Sequence, residues 1–136
     1  MTVRLRVKTS VQVSSQPQPE TKDLGDVPQE LVLDTQGEGG AWKTTVPATT
    51  VDMLVTLPAV ALARFLYLKT RPKIDTDDPV PLSIKFDSTL NPSIIVEAPS
   101  PLKEGVFMIT HPGIASLFVT NTGGVDMLLT LVVAGD

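Results

Sequence analysis

Few residues of this chain have the types and spacing that catalysis needs. The single histidine, His111, stands in a Thr-His-Pro-Gly run, and no Gly-x-Ser-x-Gly sequence is present to supply a nucleophilic serine. A serine triad needs that serine within hydrogen-bond reach of the imidazole and an acid behind the ring. We therefore interpret His111 as a turn residue and predict a protein without catalytic residues.

The acidic residues raise two other kinds of chemistry. Paired carboxylates can hydrolyse glycosides, but the acids of this chain fall mainly in predicted loops, and the sequence indicates no pocket between them. Asp75-Thr76-Asp77-Asp78 offers the clustered oxygens that Ca²⁺ prefers, yet it lacks the glycine and the distant glutamate of an EF-hand loop. We interpret this run as a solvated acidic loop and predict neither a metal nor a cofactor.

Trp42 is a weak candidate for ligand contact. It follows Gly37-Glu38-Gly39-Gly40, a glycine run without the Gly-Lys-Ser/Thr of a phosphate-binding loop. An indole beside a turn can serve as a platform for a sugar ring, or it can anchor a core by burying its bulk. Both roles stay open here, and the core role is favoured.

Charge and hydropathy argue against two classes of partner. The chain has 11 Lys and Arg against 15 Asp and Glu, a net charge of −4, whereas general nucleic-acid binding depends on basic surface. The most apolar window, Leu54 to Leu68, is interrupted by Thr56, Pro58 and Arg64 and is too short to span a bilayer. We expect neither nucleic acid nor membrane as a partner. The chain also has no cysteine for a disulfide.

The elements that would position these residues are strands. Val, Thr and Ile supply 39 of the 136 residues, and 12 prolines leave little room for long helices. Residues 3–13 alternate between apolar and polar side chains, which predicts one half-buried strand. Val51 to Leu57 alternates as well, so Val51, Met53, Val55 and Leu57 are predicted to share one face.

About nine or ten such runs recur at intervals of roughly ten residues. This spacing predicts an all-β protein: an antiparallel β-sandwich, jelly-roll-like, with about 8–10 strands. The length fits a single domain over residues 1–136.

The last twenty residues give the strongest strand signal. Ser116–Asn121 and Val125–Val133 flank Thr122-Gly123-Gly124, and we predict that these two runs pair as a terminal hairpin through that turn. The side chains predicted to face the core are Val125, Met127, Leu129, Leu131 and Val133, alongside Leu82, Ile84 and Phe86.

Residues 14–30 are predicted to form a polar arm or loop. Ser14 to Asp26 is polar and contains Pro17 and Pro19. Such an arm can pack on its own domain or reach a neighbouring subunit. For the second role, the candidate partner-contact residues are Gln16, Pro17, Gln18, Pro19 and Glu20.

Residues 58–70, 82–86 and 117–133 resemble small structural proteins of tailed-phage virions. The shared pattern is a proline before Arg-Phe-Leu-Tyr-Leu-Lys-Thr, then Leu-Ser-Ile-Lys-Phe, then Leu-Phe-Val-Thr-Asn-Thr-Gly-Gly leading to Leu-Leu-Thr-Leu-Val-Val. The resemblance covers roughly the C-terminal three-fifths of the chain and includes no catalytic motif. It implies a jelly-roll-like sandwich on the virion, as in capsid cement or decoration proteins and small tail or baseplate appendages.

Two functions follow as expectations. The first is a non-enzymatic capsid cement or decoration subunit, made in the host cytoplasm, that binds itself as a dimer or trimer and binds a major capsid or other virion protein. The alternative is a carbohydrate- or receptor-binding sandwich of a tail or baseplate appendage. Leu66–Leu68 and Leu128–Val132 are apolar on both sides, more than one small sandwich needs, which favours an oligomer.

Overall fold

The computed structural model describes residues 3–7, 12–15, 20–23, 31–35, 39–57, 60–100 and 102–135, and the side chains from residue 42 onward. Within these ranges the chain forms strands and no helix, and so no helix that could cross a membrane. The strands are β1 (Val3–Val7), β2 (Gln12–Ser15), β3 (Glu20–Asp23), β4 (Leu31–Thr35), β5 (Gly39–Val46), β6 (Thr50–Thr56), β7 (Ala63–Pro72), β8 (Leu82–Phe86), β9 (Ile94–Val96), β10 (Gly105–Ile114), β11 (Ser116–Asn121) and β12 (Met127–Gly135).

Eight of these strands build two four-stranded antiparallel sheets. The strand orders are β10-β7-β12-β5 and β6-β11-β8-β9. The pairing is nested: β5 pairs with β12, β6 with β11, β7 with β10, and β8 with β9. A long hairpin rolled up so that its strands alternate between two sheets produces this nesting, which defines a jelly-roll sandwich. The predicted all-β, jelly-roll-like fold is confirmed.

The N-terminal strands form two further antiparallel ladders. β1 pairs with β4, and β2 pairs with β3. The single strand predicted over residues 3–13 is therefore divided between two ladders. β3 and the second half of β2 lie in the stretch predicted as a polar arm or loop, so part of that stretch is paired in strands, with Ser14 opposite Thr21 and Ser15 opposite Glu20.

The predicted terminal hairpin is wrong. β11 pairs with β6 and β8 in one sheet, whereas β12 pairs with β5 and β7 in the other. Residues 122–126 form a turn, but the turn carries the chain across the sandwich instead of folding β12 back on β11. A Gly-Gly pair signals that the chain turns, and it leaves open which strand the next segment will pair with.

The core lies between the two sheets and contains the residues that alternate inward along each strand. Met127, Leu129, Leu131 and Val133 of β12 are buried, as are Leu82 and Ile84 of β8. Val125 and Phe86, also predicted to face inward, are half-buried and pack against this core. The predicted inward face of β12 is therefore confirmed.

The expectation about apolar outer faces needs one correction. Leu66 and Leu68 are both fully buried in the core, so neither side chain contributes to the outer surface of the sheet. Tyr67, Leu128 and Val132 alternate with buried residues, point outward and are half-buried. The apolar surface of this sheet therefore comes from these three residues and from the neighbouring strand β10.

Candidate functional site

The loops that follow β5, β7, β9 and β11 meet at one end of the sandwich. The Ala48 amide donates to Oδ1 of Asp126 at 2.8 Å, and the Lys73 amide donates to the Asp126 carbonyl oxygen at 2.9 Å. The Thr49 amide donates to the carbonyl oxygen of Gly123 at 3.1 Å. These contacts join three of the loops, so the polar groups here hold the loop end together.

The acidic run at residues 75–78 lies at this end. Nζ of Lys103 donates to the carbonyl oxygens of Asp75 and Asp77 at 2.7 and 2.8 Å, and Arg71 approaches the Asp75 carboxylate at 3.8 Å. Backbone carbonyls and carboxylates are the ligands that Ca²⁺ uses, and here protein cations contact them. Among the residues that the structure describes, no group of three or more His, Asp or Glu could hold a metal ion.

An open depression of about 290 Å³ lies beside Lys103. Its lining combines charged, hydroxyl and apolar side chains: Asp78, Pro79, Ala98, Ser100, Leu102 and Lys103. The polar side chains of this lining can form hydrogen bonds with a ligand. Because the depression is shallow and open, it does not exclude water as a catalytic cleft does.

His111 lies within β10 and not in the predicted turn. The β10–β7 register shifts between Thr110 and Ile114, because the ladder is interrupted around Pro112, which has no amide hydrogen. Nδ1 of His111 accepts a hydrogen bond from the Gly113 amide at 3.0 Å, and the ring lies edge-on to Phe86 at 6.1 Å between centroids. These two contacts fix the orientation of the imidazole, which gives His111 a role in local structure.

The other sequence candidates separate into described and undescribed positions. Trp42 lies opposite Leu131 in the β5–β12 ladder and packs, half-buried, against the core. Its contact with a ligand stays a prediction. Residues 16–19 lie outside the described residues, and Glu20 begins β3, where only the backbone is described. Partner contact by these five residues also stays a prediction.

A bulge in β6 creates a polar cluster on the outer surface of the second sheet. The β6–β11 register shifts between Val119 and Asn121, so that Val51 and Asp52 together face Thr120. Asp52 has a φ of 46°, a left-handed conformation that Asp tolerates better than most residues. Such backbone strain recurs at functional sites, which directs attention to this position.

Hydrogen bonds and an ion pair fix the bulge. The Asp52 amide donates to Oγ1 of Thr120 at 2.9 Å, and that hydroxyl lies 3.4 Å from Oδ1 of Asp52. Nζ of Lys85 lies 3.2 Å from the same Oδ1. The side chains of Lys85 and Asp52 are 25% and 28% exposed, so the ion pair is partly removed from water.

Apolar side chains surround this ion pair. Val51 is 72% exposed, Leu54 58% and Ile95 60%, and the half-buried Phe118 lies opposite both Leu54 and Lys85 in the ladders. We call this surface the β6 face and define it by Val51, Asp52, Leu54, Ser83, Lys85, Ile95, Phe118 and Thr120. The prediction that Val51 shares one face with Met53, Val55 and Leu57 is wrong, because the bulge reverses the alternation at Asp52.

The opposite sheet has an outer surface of different character. We call it the β10 face and define it by Lys43, Tyr67, Lys69, Val106, Met108, Leu128, Thr130 and Val132. Val106 and Met108 are 58% and 44% exposed, and Nζ of Lys69 pairs with Glu104 at 2.9 Å. This surface is apolar along β10 and carries cations among its apolar groups.

Comparison with known proteins adds little to this geometry. No protein-family model matches the chain, and no curated protein matches it. The chain is similar to a solved chain described as "Bacillus endospore appendages form a novel family of disulfide-linked pili", with 16% identity and a TM-score of 0.35 over 74% of this chain and 92% of that one. The jelly-roll assignment accordingly rests on the strand order itself.

Proposed function

We propose that this chain is a non-enzymatic structural subunit of a phage virion, specifically a capsid cement or decoration protein that stabilises a shell through protein–protein contacts. One observation carries the proposal: a small sandwich with a complete core exposes apolar side chains on both of its outer faces. Val51, Leu54 and Ile95 stand on one face, and Val106 and Met108 on the other. Apolar groups clustered on opposite faces favour a subunit with more than one neighbour.

The polar residues support the same proposal, because the structure uses them internally. Oδ1 of Asp87 accepts hydrogen bonds from the Ala115 and Ser116 amides at 2.7 and 3.2 Å. Lys103 closes the acidic loop, and Asp126 joins two loops. Catalytic groups instead converge on one position where a reacting atom can sit. The folding roles of these side chains therefore favour a structural protein.

The β10 face is the surface that we assign to the shell. Tyr67 and Met108 are of the residue types enriched at protein interfaces, and Lys43 and Lys69 beside them fit an acidic partner surface. A second contact through residues 16–20 agrees with their polar, proline-containing sequence. Both contacts are of the kind by which a cement subunit spans neighbouring shell proteins.

Mass spectrometry of purified particles tests the function directly. Particles from cells that carry this gene should contain the protein in a fixed ratio to the main shell protein. Particles from a strain lacking the gene should bind purified protein, and Met108→Glu should weaken co-sedimentation. Leu90→Glu should not, because this side chain, 93% exposed, lies in the connection between β8 and β9 of the other sheet. Absence of the protein from particles would overturn the proposal.

The depression beside Lys103 favours one alternative function. Asp78 and Ser100 offer carboxylate and hydroxyl groups, and Leu102 offers an apolar surface, which together suit a sugar. In this case the chain would be a carbohydrate- or receptor-binding module of a tail or baseplate appendage. Glycan-array binding that is lost in Ser100→Trp, by a protein found only in tail fractions, would replace the cement function with this one.

A further inference from the structure

We infer that the β6 face binds the β6 face of a second copy of this chain across a two-fold axis. This inference rests on the proposed role as an assembly subunit, and it names the partner of one surface. Three properties of the face identify a second copy as its partner: its exposed apolar groups, its self-complementary charges and its size.

The exposed apolar groups define where the contact lies. Val51 and Leu54 of β6 and Ile95 of β9 stand at opposite edges of the sheet, with Phe118 of β11 between them. More than half of each of the three edge side chains is open to water. A cluster of this kind, with a partly desolvated polar group at its centre, has the layout of a protein–protein interface.

The charges select a second copy as the partner. The chain has a net charge of −4, so two copies repel each other overall. The β6 face is neutral, because its two charged side chains are Asp52 and Lys85, held 3.2 Å apart. A two-fold axis that lies in the interface and passes between them places each Asp52 against Lys85 of the second copy.

The β10 face lacks this property. Lys43 and Lys69 belong to it, and Glu104, whose carboxylate lies 2.9 Å from Nζ of Lys69, offsets one of these two positive charges. Two copies meeting through this face would bring lysines together, which disfavours self-contact there. The charges of the β6 face therefore allow contact with a second copy, whereas those of the β10 face disfavour it.

The size of the face sets the expected affinity. Four strands span about 19 Å, and the seven residues of β6 span about 24 Å. A contact of these dimensions is smaller than a standard stable interface, which buries about 800 Å² on each partner. We therefore expect a weak dimer, with a Kd on the order of micromolar, that becomes dominant when copies are concentrated on a common shell.

Sedimentation velocity and native mass spectrometry of the full chain, over a range of concentrations around this Kd, test the inference. Wild-type protein should pass from monomer to dimer. Leu54→Lys and Lys85→Glu should each raise the dimer Kd by roughly tenfold or more, because they bury a charge or oppose like charges. Lys43→Glu makes the same charge change on the other sheet and should leave the Kd unchanged. A cooperative thermal unfolding transition should show that each variant folds.

A mixing experiment tests the two-fold pairing itself. Asp52→Asn retains a residue type that accepts the left-handed backbone and leaves the face with one positive charge. Lys85→Glu leaves the face with two negative charges. Each variant alone should dimerise less than wild type, and an equimolar mixture should recover heterodimers, because each face then meets its opposite.

The outcomes separate this inference from the proposed function. A wild-type monomer at every concentration, a dimer unaffected by Leu54→Lys, or a mixture without heterodimers would each overturn the β6-face dimer. The particle experiment on the β10 face would still decide the cement function. Conversely, if the protein passes these dimer tests but is absent from particles, the β6-face dimer stands and the proposed virion role is wrong.

Discussion

Nδ2 of Asn121 donates a hydrogen bond to the carbonyl oxygen of Val46 at 3.2 Å, across the gap between the two sheets. Asn121 ends β11 in one sheet, and Val46 ends β5 in the other. The same amide donates to the Val125 carbonyl oxygen at 2.8 Å, and Oδ1 accepts from the Gly123 amide at 3.0 Å. One fully buried side chain thus fixes both the crossing turn and its attachment to the neighbouring sheet.

Replacing Asn121 should be strongly destabilising. Asn121→Ala leaves the buried carbonyl oxygen of Val46 and the part-buried backbone groups of Val125 and Gly123 without their side-chain partner, and the loss at a buried group is worth about 1–3 kcal/mol. We expect the free energy of unfolding to fall by about 3 kcal/mol in urea titrations. Asn91→Ala is the matched control, because Asn91 also donates to a carbonyl oxygen, that of Phe86 at 2.7 Å, but is exposed. Equal losses in the two variants would contradict this role for Asn121.

Thr70 offers a test in the opposite direction. Its hydroxyl is buried and has no hydrogen-bond partner among the described residues. Thr70→Val removes the unpaired oxygen at nearly constant shape and should raise the free energy of unfolding by about 1 kcal/mol. Thr120→Val removes a hydroxyl that is bonded to Asp52 and should lower it by a similar amount. A thermal midpoint that falls in Thr70→Val would show that the hydroxyl is satisfied.

Gly105 is predicted to tolerate no larger side chain. A Cβ at this position would lie 2.8 Å from the carbonyl carbon of Glu97 and 2.8 Å from Oγ1 of Thr70, and backbone cannot move away as a flexible side chain can. We expect Gly105→Ala to lower the free energy of unfolding by about 1–3 kcal/mol. Gly124→Ala, where no atom lies within 4 Å, should be neutral or slightly stabilising. If both variants unfold at the same urea concentration, the close approach of β10 to residue 97 is absent in solution.

The sequence predicted strands well and their partners poorly, for a physical reason. The alternation in β8 and β12 reports which side chains are buried, so Leu82, Ile84 and Met127 could be assigned to the core in advance. The pairing of β12 with β5 and β7 depends on contacts between residues that are distant along the chain. The local turn at Gly123-Gly124 carries no information about those contacts. The predicted hairpin failed for that reason.

The position of Val51 on the β6 face could not be predicted from the sequence pattern, because a single residue, Asp52, reverses the alternation. Val51 to Leu57 alternates as an unbroken strand would, and the pattern places Val51 on the same face as Met53, Val55 and Leu57. The left-handed Asp52 inserts one residue opposite Thr120 and turns Val51 to the outside. Aspartate within an apolar strand was the available signal, since Asp is enriched in left-handed conformations and depleted from regular strands.

Leu129 provides the final test of the register on which these assignments depend. It is fully buried within β12, opposite Thr44 of β5 and Thr70 of β7. Leu129→Asp would place a carboxylate in the core without a cation partner. The free-energy cost of burying this charge exceeds the marginal stability of a domain of this size. We expect the variant to be absent from the soluble fraction. Leu90→Asp, at a side chain that is 93% exposed, should express and unfold as the wild type does. A soluble Leu129→Asp variant with an unchanged thermal midpoint would mean that this face of β12 points outward, and the β12 pairings would then have to be reassigned.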